Sequence, residues 1–480
     1  MKKQIASIAV MTTLLGATNY NLIVKADSVD KKIENPEIQR EIINVPDSAL
    51  EKGIKEALSL GINEPITTEN ILNLKSLTIN KSTISNLTGL EYAKNLSYIN
   101  LDYNSITDLT PLKELQSLTS IGLANNPITD ISPLYNLPIT VLNLSSIKVG
   151  DFDVMRNFTN KSNFVTLFIE QNFIKDINFL NEFSNLSFLK ISNNEIKDIS
   201  SLSNLTKLAQ LTMGRNKIED ISPLSNLQEL INITMEGNGI EDISHLSNLN
   251  KVTTLNLSGN KITNLTALEN LSNIYLLGID NTLVENLSPL KNLKNLKTLK
   301  ASSINAKSIE PISSLPKLEE IHFNENQVID LKNLEKARSL KTLSVNRTNI
   351  TEADIPLNPV LQTIAAAENN ISNIKFIEIL PNLSALGVNS NKISDISPLR
   401  NKNLKVVQAA NQKIVLENVK LGEKTLITIR NQDDVIPSII WDSPGTYEEN
   451  YLTWKQRGNN SLKWGNNDKI FSGEIIQKVE

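Results

Sequence analysis

The stretch LAQLTMGRNKIEDISPLSNLQELINITMEGNGIEDISHLSNLNKVTTLNLSGNKI, residues 208–262, decides the fold. It holds one unit three times over. Aligned on LxxLxLxxNxI, the first copy is Leu208, Leu211, Met213, Asn216 and Ile218; the second is Leu230, Ile233, Met235, Asn238 and Ile240; the third is Val252, Leu255, Leu257, Asn260 and Ile262. A fixed period of this kind has to be read before any local secondary structure. Each unit offers one short parallel strand whose LxL residues enter a core shared with the neighbouring coils. The residues between them face the other way, because side chains alternate along a strand. The Asn falls where the chain turns out of the strand. Its amide donates and accepts, so it can satisfy backbone groups of its own turn and of an adjacent one.

Working outward from there, the Asn slot recurs at 104, 126, 147, 172, 194, 216, 238, 260, 282, 304, 326, 348, 369, 391 and 412, with a degenerate first copy at Ser82. The steps are mostly 22 residues; three are 21, and the step from 147 to 172 is 25. Thr282, Thr348 and Gln412 can replace the amide in part, whereas Ile147 and Ile304 cannot replace it at all. The pattern predicts an α/β solenoid, a curved leucine-rich-repeat array of about 15 or 16 coils over residues 75–412. Pro111, Pro133, Pro223, Pro289 and Pro398 favour short 3₁₀ turns on its outer side.

Such an array needs capped ends. Before it, residues 45–74 read as a helical cap. Ser48 and Glu51 form a candidate capping box, Leu50, Ile54, Ala57 and Leu58 line one face, and Thr67 is the expected N-cap of a second short helix stapled by Ile66 and Ile71. After it, residues 413–480 lose the period and alternate polar with apolar, which predicts a small β-sandwich. All three tryptophans (Trp441, Trp454, Trp464) fall there and should be buried. Its strands should extend the edge of the last coil near Val406–Val407, so that the module caps the array.

At the start, Lys2 and Lys3, an apolar run from Ile5 to Leu15, and Val24-Lys25-Ala26 predict an export signal over residues 1–26, cut after Ala26, followed by a linker over 27–44. The 480 residues carry 48 Lys+Arg against 52 Asp+Glu, a net charge of −4. That balance argues against a nucleic-acid binder, which would show a basic stripe. The absence of cysteine excludes disulfide scaffolds, thiolate metal sites and thiol nucleophiles, including the catalytic cysteine of repeat-bearing ubiquitin ligases.

With these features assembled, the chain resembles the bacterial internalin family. The resemblance rests on the export signal, the cap PDSALEKGIKEAL, 22-residue repeats with ITDISPL-type outer segments, and the tail from NQKIVL to FSGEIIQKV. It implies an EF-hand-like cap without calcium, an immunoglobulin-like adjunct domain over 413–480, and a protein that binds host molecules through its concave face. No LPxTG motif, apolar tail or GW-rich module is present, so the resemblance is to a freely secreted member, a virulence or adhesion factor of a Gram-positive bacterium.

The candidate binding residues sit at the outward positions of LxxLxLxx. They are Tyr98 and Tyr103 with Asp102, Phe168 with Glu170, Phe188 with Lys190, Arg215, Glu236, Tyr275 with Leu276, and His322 among Glu319, Glu320 and Glu325. Lys297, Lys300, Lys341 and Arg347 add charge. Phe168 and Phe188 lie on adjacent strands and are expected to form one exposed aromatic patch, the usual making of an interface anchor. An enzyme is not expected. His245 replaces the proline of an ISPL segment, and His322 has no second histidine beside it. The expected partner is a host or surface protein, bound by a monomer without cofactor, metal, nucleic acid or transmembrane anchor. The second reading is an envelope-associated adhesin for a carbohydrate or bacterial-surface ligand.

Overall fold

A parallel strand one coil long can satisfy its backbone only by pairing with the coils before and after it, and that requirement organises the array. The computed structural model describes residues 41–327, 330–465 and 470–480; the expected export signal and residues 27–40 of the expected linker lie outside them. By internal contacts the chain divides into Met1–Glu41 and Ile42–Glu480, and the helical cap, the repeats and the C-terminal module belong to the second unit. Sixteen parallel strands, β1 (Ser76–Thr78) to β16 (Val406–Val415), pair in chain order. Corresponding core residues stack in register, as at Leu211, Ile233 and Leu255. The LxL residues are buried along the array, except that Ile79 in the first coil and Val407 in the last are half-buried. No helix among the described residues is long and apolar enough to cross a membrane.

The outer side is built from 3₁₀ turns, as the prolines predict: Thr110–Leu112, Ser132–Leu134, Ser222–Leu224, Ser288–Asn292 and Ser397–Leu399. The aspartate of each ITDISPL-type segment starts the turn. Asp108, Asp130, Asp198, Asp220 and Asp242 each accept the N–H two residues on at 2.7–2.8 Å. The 25-residue coil spends its extra residues on two further turns, Phe152–Asn157 and Lys161–Asn163. It also anchors a column of edge-to-face rings, Tyr135, Phe158, Phe164 and Phe183, with centroids 5.3, 5.2 and 5.0 Å apart.

The Asn slots form a buried ladder. Asn216 donates from Nδ2 to Ile191 O in the preceding coil (3.0 Å) and to Met213 O in its own (3.0 Å), while its Oδ1 accepts Ile196 N–H (3.1 Å). Asn260 repeats the arrangement with Met235, Leu257 and Ile240. Asn238 does so as well but is only half-buried, because Gly237 and Gly239 flank it. Thr282 supplies a single bond, to Ile279 O. Gln412 does more than replace the amide in part. It donates to Val388 O and Ala409 O and accepts from Asn391 and Ile393, a complete rung. Ile147 and Ile304 are buried, and their N–H groups still reach the next rung at Asn172 and Asn326 (2.9 Å each).

At the N-terminal end, helix α1 (Ser48–Leu58) buries Leu50 and Ile54, while Ala57 is exposed. The expected Ser48 capping box is displaced by one residue. Asp47 is the N-cap, accepting Ala49 and Leu50 N–H at 3.1 Å, and its second oxygen reaches Ser85 and Asn86 in the first coil. Asp outcompetes Ser here because one carboxylate serves two chain segments. The expected N-cap Thr67 sits two residues further out: Glu69 is the N-cap of the turn Asn70–Asn73, while Thr67 and Asn70 exchange reciprocal hydrogen bonds across its start.

At the other end β16 changes partner midway. Val406 and Val407 pair with Ala385 and Leu386 of β15 (Ala385–Gly387), and from Ala409 to Val415 the same strand pairs with β22 (Phe471–Val479). One sheet therefore runs from the repeats into the C-terminal module. There β21 (Gly458–Trp464) joins β22 antiparallel and β18 (Ile439–Trp441) joins β21. A second antiparallel sheet is made of β17 (Lys424–Leu426), β20 (Tyr451–Trp454) and β19 (Gly445–Glu448). Buried Gln477 ties the two sheets, accepting Trp454 Nε1–H at 2.8 Å and donating to Thr425 Oγ1 at 2.8 Å. These antiparallel strands accord with the expected immunoglobulin-like adjunct. Trp454 and Trp464 are buried, but Trp441 departs from expectation: it lies on strand β18 and keeps 36% of its surface exposed, packing edge-on against Trp454 at 5.8 Å.

Candidate ligand-binding face

Between the LxL leucines and just after them, each coil presents outward residues whose columns follow from the register. On β5 (Thr166–Phe168) and β6 (Phe188–Lys190), Thr166 faces Phe188 and Phe168 faces Lys190. The two phenylalanines are thus diagonal neighbours, close enough for long side chains to meet. Their rings pack edge to face with centroids 4.8 Å apart, and Lys190 Nζ lies 4.7 Å above Phe168 and 5.4 Å from Phe188. The expectation of an exposed pair fails. Phe168 is 5% exposed, roofed by Lys190 and Phe188, and Phe188 itself is half-buried. A cation over a ring face is attractive, and the roof also removes apolar surface from water.

Two carboxylates share the next outward column, three strands apart. Glu170 follows β5 and Glu236 follows β8 (Asn232–Thr234), and both are half-buried. Burial pushes the Glu170 pKa up; Lys190 opposes this and the negative charge of Glu236 adds to it. Glu236 leans back onto Gly214, where a Cβ would overlap its carboxylate. Between them in the same column sits Ser192, 4% exposed, whose hydroxyl has no hydrogen-bond partner. Asp102 is raised by burial too, against a 2.7 Å hydrogen bond from Ala124 N–H and a longer one from Asn143.

The other expected residues are spread out. Tyr98 is half-buried on β2 (Tyr98–Asn100), and Tyr103 nearby is exposed with Lys81 Nζ 5.7 Å from its ring. Both stand three strands from Phe168, roughly 14 Å away at normal strand spacing. Arg215 is exposed next to Glu236, whose carbonyl accepts the Arg215 N–H. Tyr275 is exposed at the start of β10 (Leu276–Gly278). His322 lies between Lys300 and Ser344 in register, on β12 (Glu320–His322), six strands from Phe188. The fold therefore brings Phe168 and Phe188 together under Lys190, and leaves Tyr98, Tyr103, Arg215, Glu236, Tyr275 and His322 apart from that pair. No group of three or more His, Asp or Glu among the described residues is arranged to hold a metal. On the outer side, Glu219, Glu241, Asp220, Asp242 and His245 line an open depression. There Asp220 and Asp242 are occupied by Ser222 and Ser244, which lower their pKa values.

Three features escaped the sequence reading. The residue before every slot, from Lys81 to Asn411, has left-handed backbone in all sixteen coils, glycine at only two of them (Gly237 and Gly259). Asn and Gly recur at that position because they tolerate it, and that recurrence was the available signal. Side chains there stand along one rim, and in the distal coils they pair. Arg347 bonds Glu325 at 3.0 Å and grips Glu368 with two nitrogens at 2.8 Å each. Finally Phe173, just past its slot, is 79% exposed with φ 58°, an aromatic outside the LxxLxLxx positions.

Residues 94–136 and 184–226 match the family described as leucine rich repeats (2 copies). A search of the curated proteins returns no significant match. Among solved structures, an internalin (InlF) from Listeria monocytogenes is 28% identical, covering 72% of this chain and 96% of its own, at a TM-score of 0.61. The functional domain of InlJ from the same organism, described as including a cysteine ladder, is 20% identical over 91% of this chain and 97% of its own, at 0.66. A leucine-rich-repeat protein of Leptospira interrogans is 22% identical over 71% and 97%, at 0.58. The last two show the fold alone.

Proposed function

We propose that this chain, an internalin-like leucine-rich-repeat protein, is a secreted, non-enzymatic binding protein that engages a host or surface protein through its concave face. The observation that carries the reading is the asymmetry of each coil. All inward positions are spent on the apolar core and the Asn ladder, whereas the outward columns vary freely in residue type. A face that varies over a scaffold that does not is the arrangement of a recognition surface. Rigid aromatics stand at intervals along it: Phe188 over buried Phe168, then Tyr275, with Tyr98 and Tyr103 towards the N-terminal end. These bury much area at little entropic cost. The distal charges Lys297, Lys300, Glu319 and Glu320 would tune association rate and salt dependence more than affinity.

The test is affinity capture of host surface proteins on the purified protein, followed by binding measurements with the captured receptor. A Phe188→Ala, Tyr275→Ala variant should weaken binding at least tenfold, about 1.4 kcal/mol, with unchanged folding. Unchanged binding by that variant would move the site off the concave face. A receptor preparation that loses binding on deglycosylation, or capture of bacterial envelope glycans alone, would replace the protein reading with the carbohydrate one.

A further inference from the structure

The central coils hold an arrangement that the free protein leaves electrostatically unfinished. Glu170 and Glu236 are half-buried on coils three steps apart, the charge of Glu236 acts on Glu170, and neither has an ion-pair partner among the described residues; Glu236 has one long contact, from Asn256 Nδ2 at 3.5 Å. Lys190, whose charge acts on Glu170, is held over the rings of Phe168 and Phe188 and bridges to neither carboxylate. Beneath them the Ser192 hydroxyl is buried without a partner, which is uncommon for a buried polar group. Gly214 is itself buried, covered by the Glu236 carboxylate. Any side chain there would displace the Glu236 carboxylate, so the position of that carboxylate depends on the glycine.

We propose that Glu170 and Glu236, over Ser192 and Gly214, seat one arginine side chain of the protein partner. This rests on the concave-face reading above and specifies its chemistry. An arginine suits the site better than a lysine. The carboxylates come from coils roughly 14 Å apart at strand spacing, so the cation must present donors in two directions. A planar guanidinium does that, whereas an ammonium is a point charge. The guanidinium can reach between the two carboxylates, with Glu236 held in place over Gly214. A metal ion is a poorer fit, because two carboxylates and one hydroxyl leave most of a hard cation's coordination unmet.

The experiment uses methyl-labelled protein titrated with N-acetyl-arginine amide at constant ionic strength, with the neutral isostere N-acetyl-citrulline amide as control. Saturable shifts should appear at the methyl groups of Leu189, Leu211 and Ile233, half-complete near ~1 mM for so small a probe. They should be absent with citrulline and absent in a Glu170→Gln, Glu236→Gln variant. Gly214→Ala, which changes no charge but moves Glu236, should weaken them at least fivefold while methyl positions elsewhere show the fold intact. Equal shifts with citrulline, shifts that survive in the double variant, or no saturable shift overturn the seat. If a captured receptor loses binding to the Phe188→Ala, Tyr275→Ala variant but binds the Glu170→Gln, Glu236→Gln protein normally, the arginine seat falls while the concave-face reading stands. If neither variant affects binding, both fall.

Discussion

Two stretches of the repeat array share a backbone and differ in how they treat charge. In the central coils, residues 166–237, Glu170 and Glu236 lack ion-pair partners among the described residues and Lys190 is folded over aromatic rings. In the distal coils, residues 319–369, the charges answer one another. Glu319 is bridged by Lys341 at 2.8 Å with Lys297 at 3.9 Å, and Arg347 links Glu325 to Glu368. The core leucines and Asn rungs beneath are alike in both. In a solenoid, inward residues carry stability and outward residues are free to be satisfied internally or left for a partner. Exposed pairs such as the distal ones contribute little to stability, but they blunt the attraction that a partner's charges would otherwise feel.

The largest effect should follow from removing residues 413–480. The module continues the sheet through β16, so its loss uncovers the last coil, and unfolding in a nearest-neighbour array spreads from an open end. Hydrogen exchange should show the distal stretch losing protection first while the central stretch keeps most of its own. Wild-type protection in both would mean that the module is not a cap.

Next comes the shared floor. Asn216→Ala and Asn369→Ala should each destabilise by about 1–3 kcal/mol, because each leaves buried backbone groups of two coils unpaired. Similar falls in urea midpoint would confirm that the stretches differ only on their outer face. A large effect at one site and none at the other would place the difference in the core.

The smallest effects are those of pH, and they should run in opposite directions. The folded-state pKa of Glu170 is raised above 4.5 by burial, so its contribution is most favourable below that pH and is lost as pH rises through the raised value. Glu170→Gln should therefore raise the melting temperature near pH 7 and leave it little changed near about pH 3. Glu319, Glu325 and Glu368 are lowered by their hydrogen-bonded partners (Lys341; Ser303 and Arg347; Arg347), so their contributions are present above 4.5 and lost as pH falls through the lowered values. Arg347→Met should lower the melting temperature near pH 7 and lose its effect in acid. A gain from Glu170→Gln that persists near about pH 3 would show that charge is not the cause.

The period determined a great deal on its own. A 22-residue spacing of LxL and Asn places Leu211, Met213 and Asn216 inward and Phe188, Lys190 and Glu236 outward without reference to any other residue, because strand alternation and coil stacking admit one solution. The loss of the period after Gln412 likewise marked a module of another kind. What only the tertiary structure decided concerns contacts between coils. Phe168 is buried because Lys190 and Phe188, 20 or more residues on, close over it; Glu236 rests on Gly214; Gln412 reaches far enough to complete a rung; Asp47 takes the cap because it can also hold Ser85. An outward position says which side a residue faces. Whether water reaches it depends on the rotamers of neighbours two columns away, and a one-dimensional repeat does not encode those.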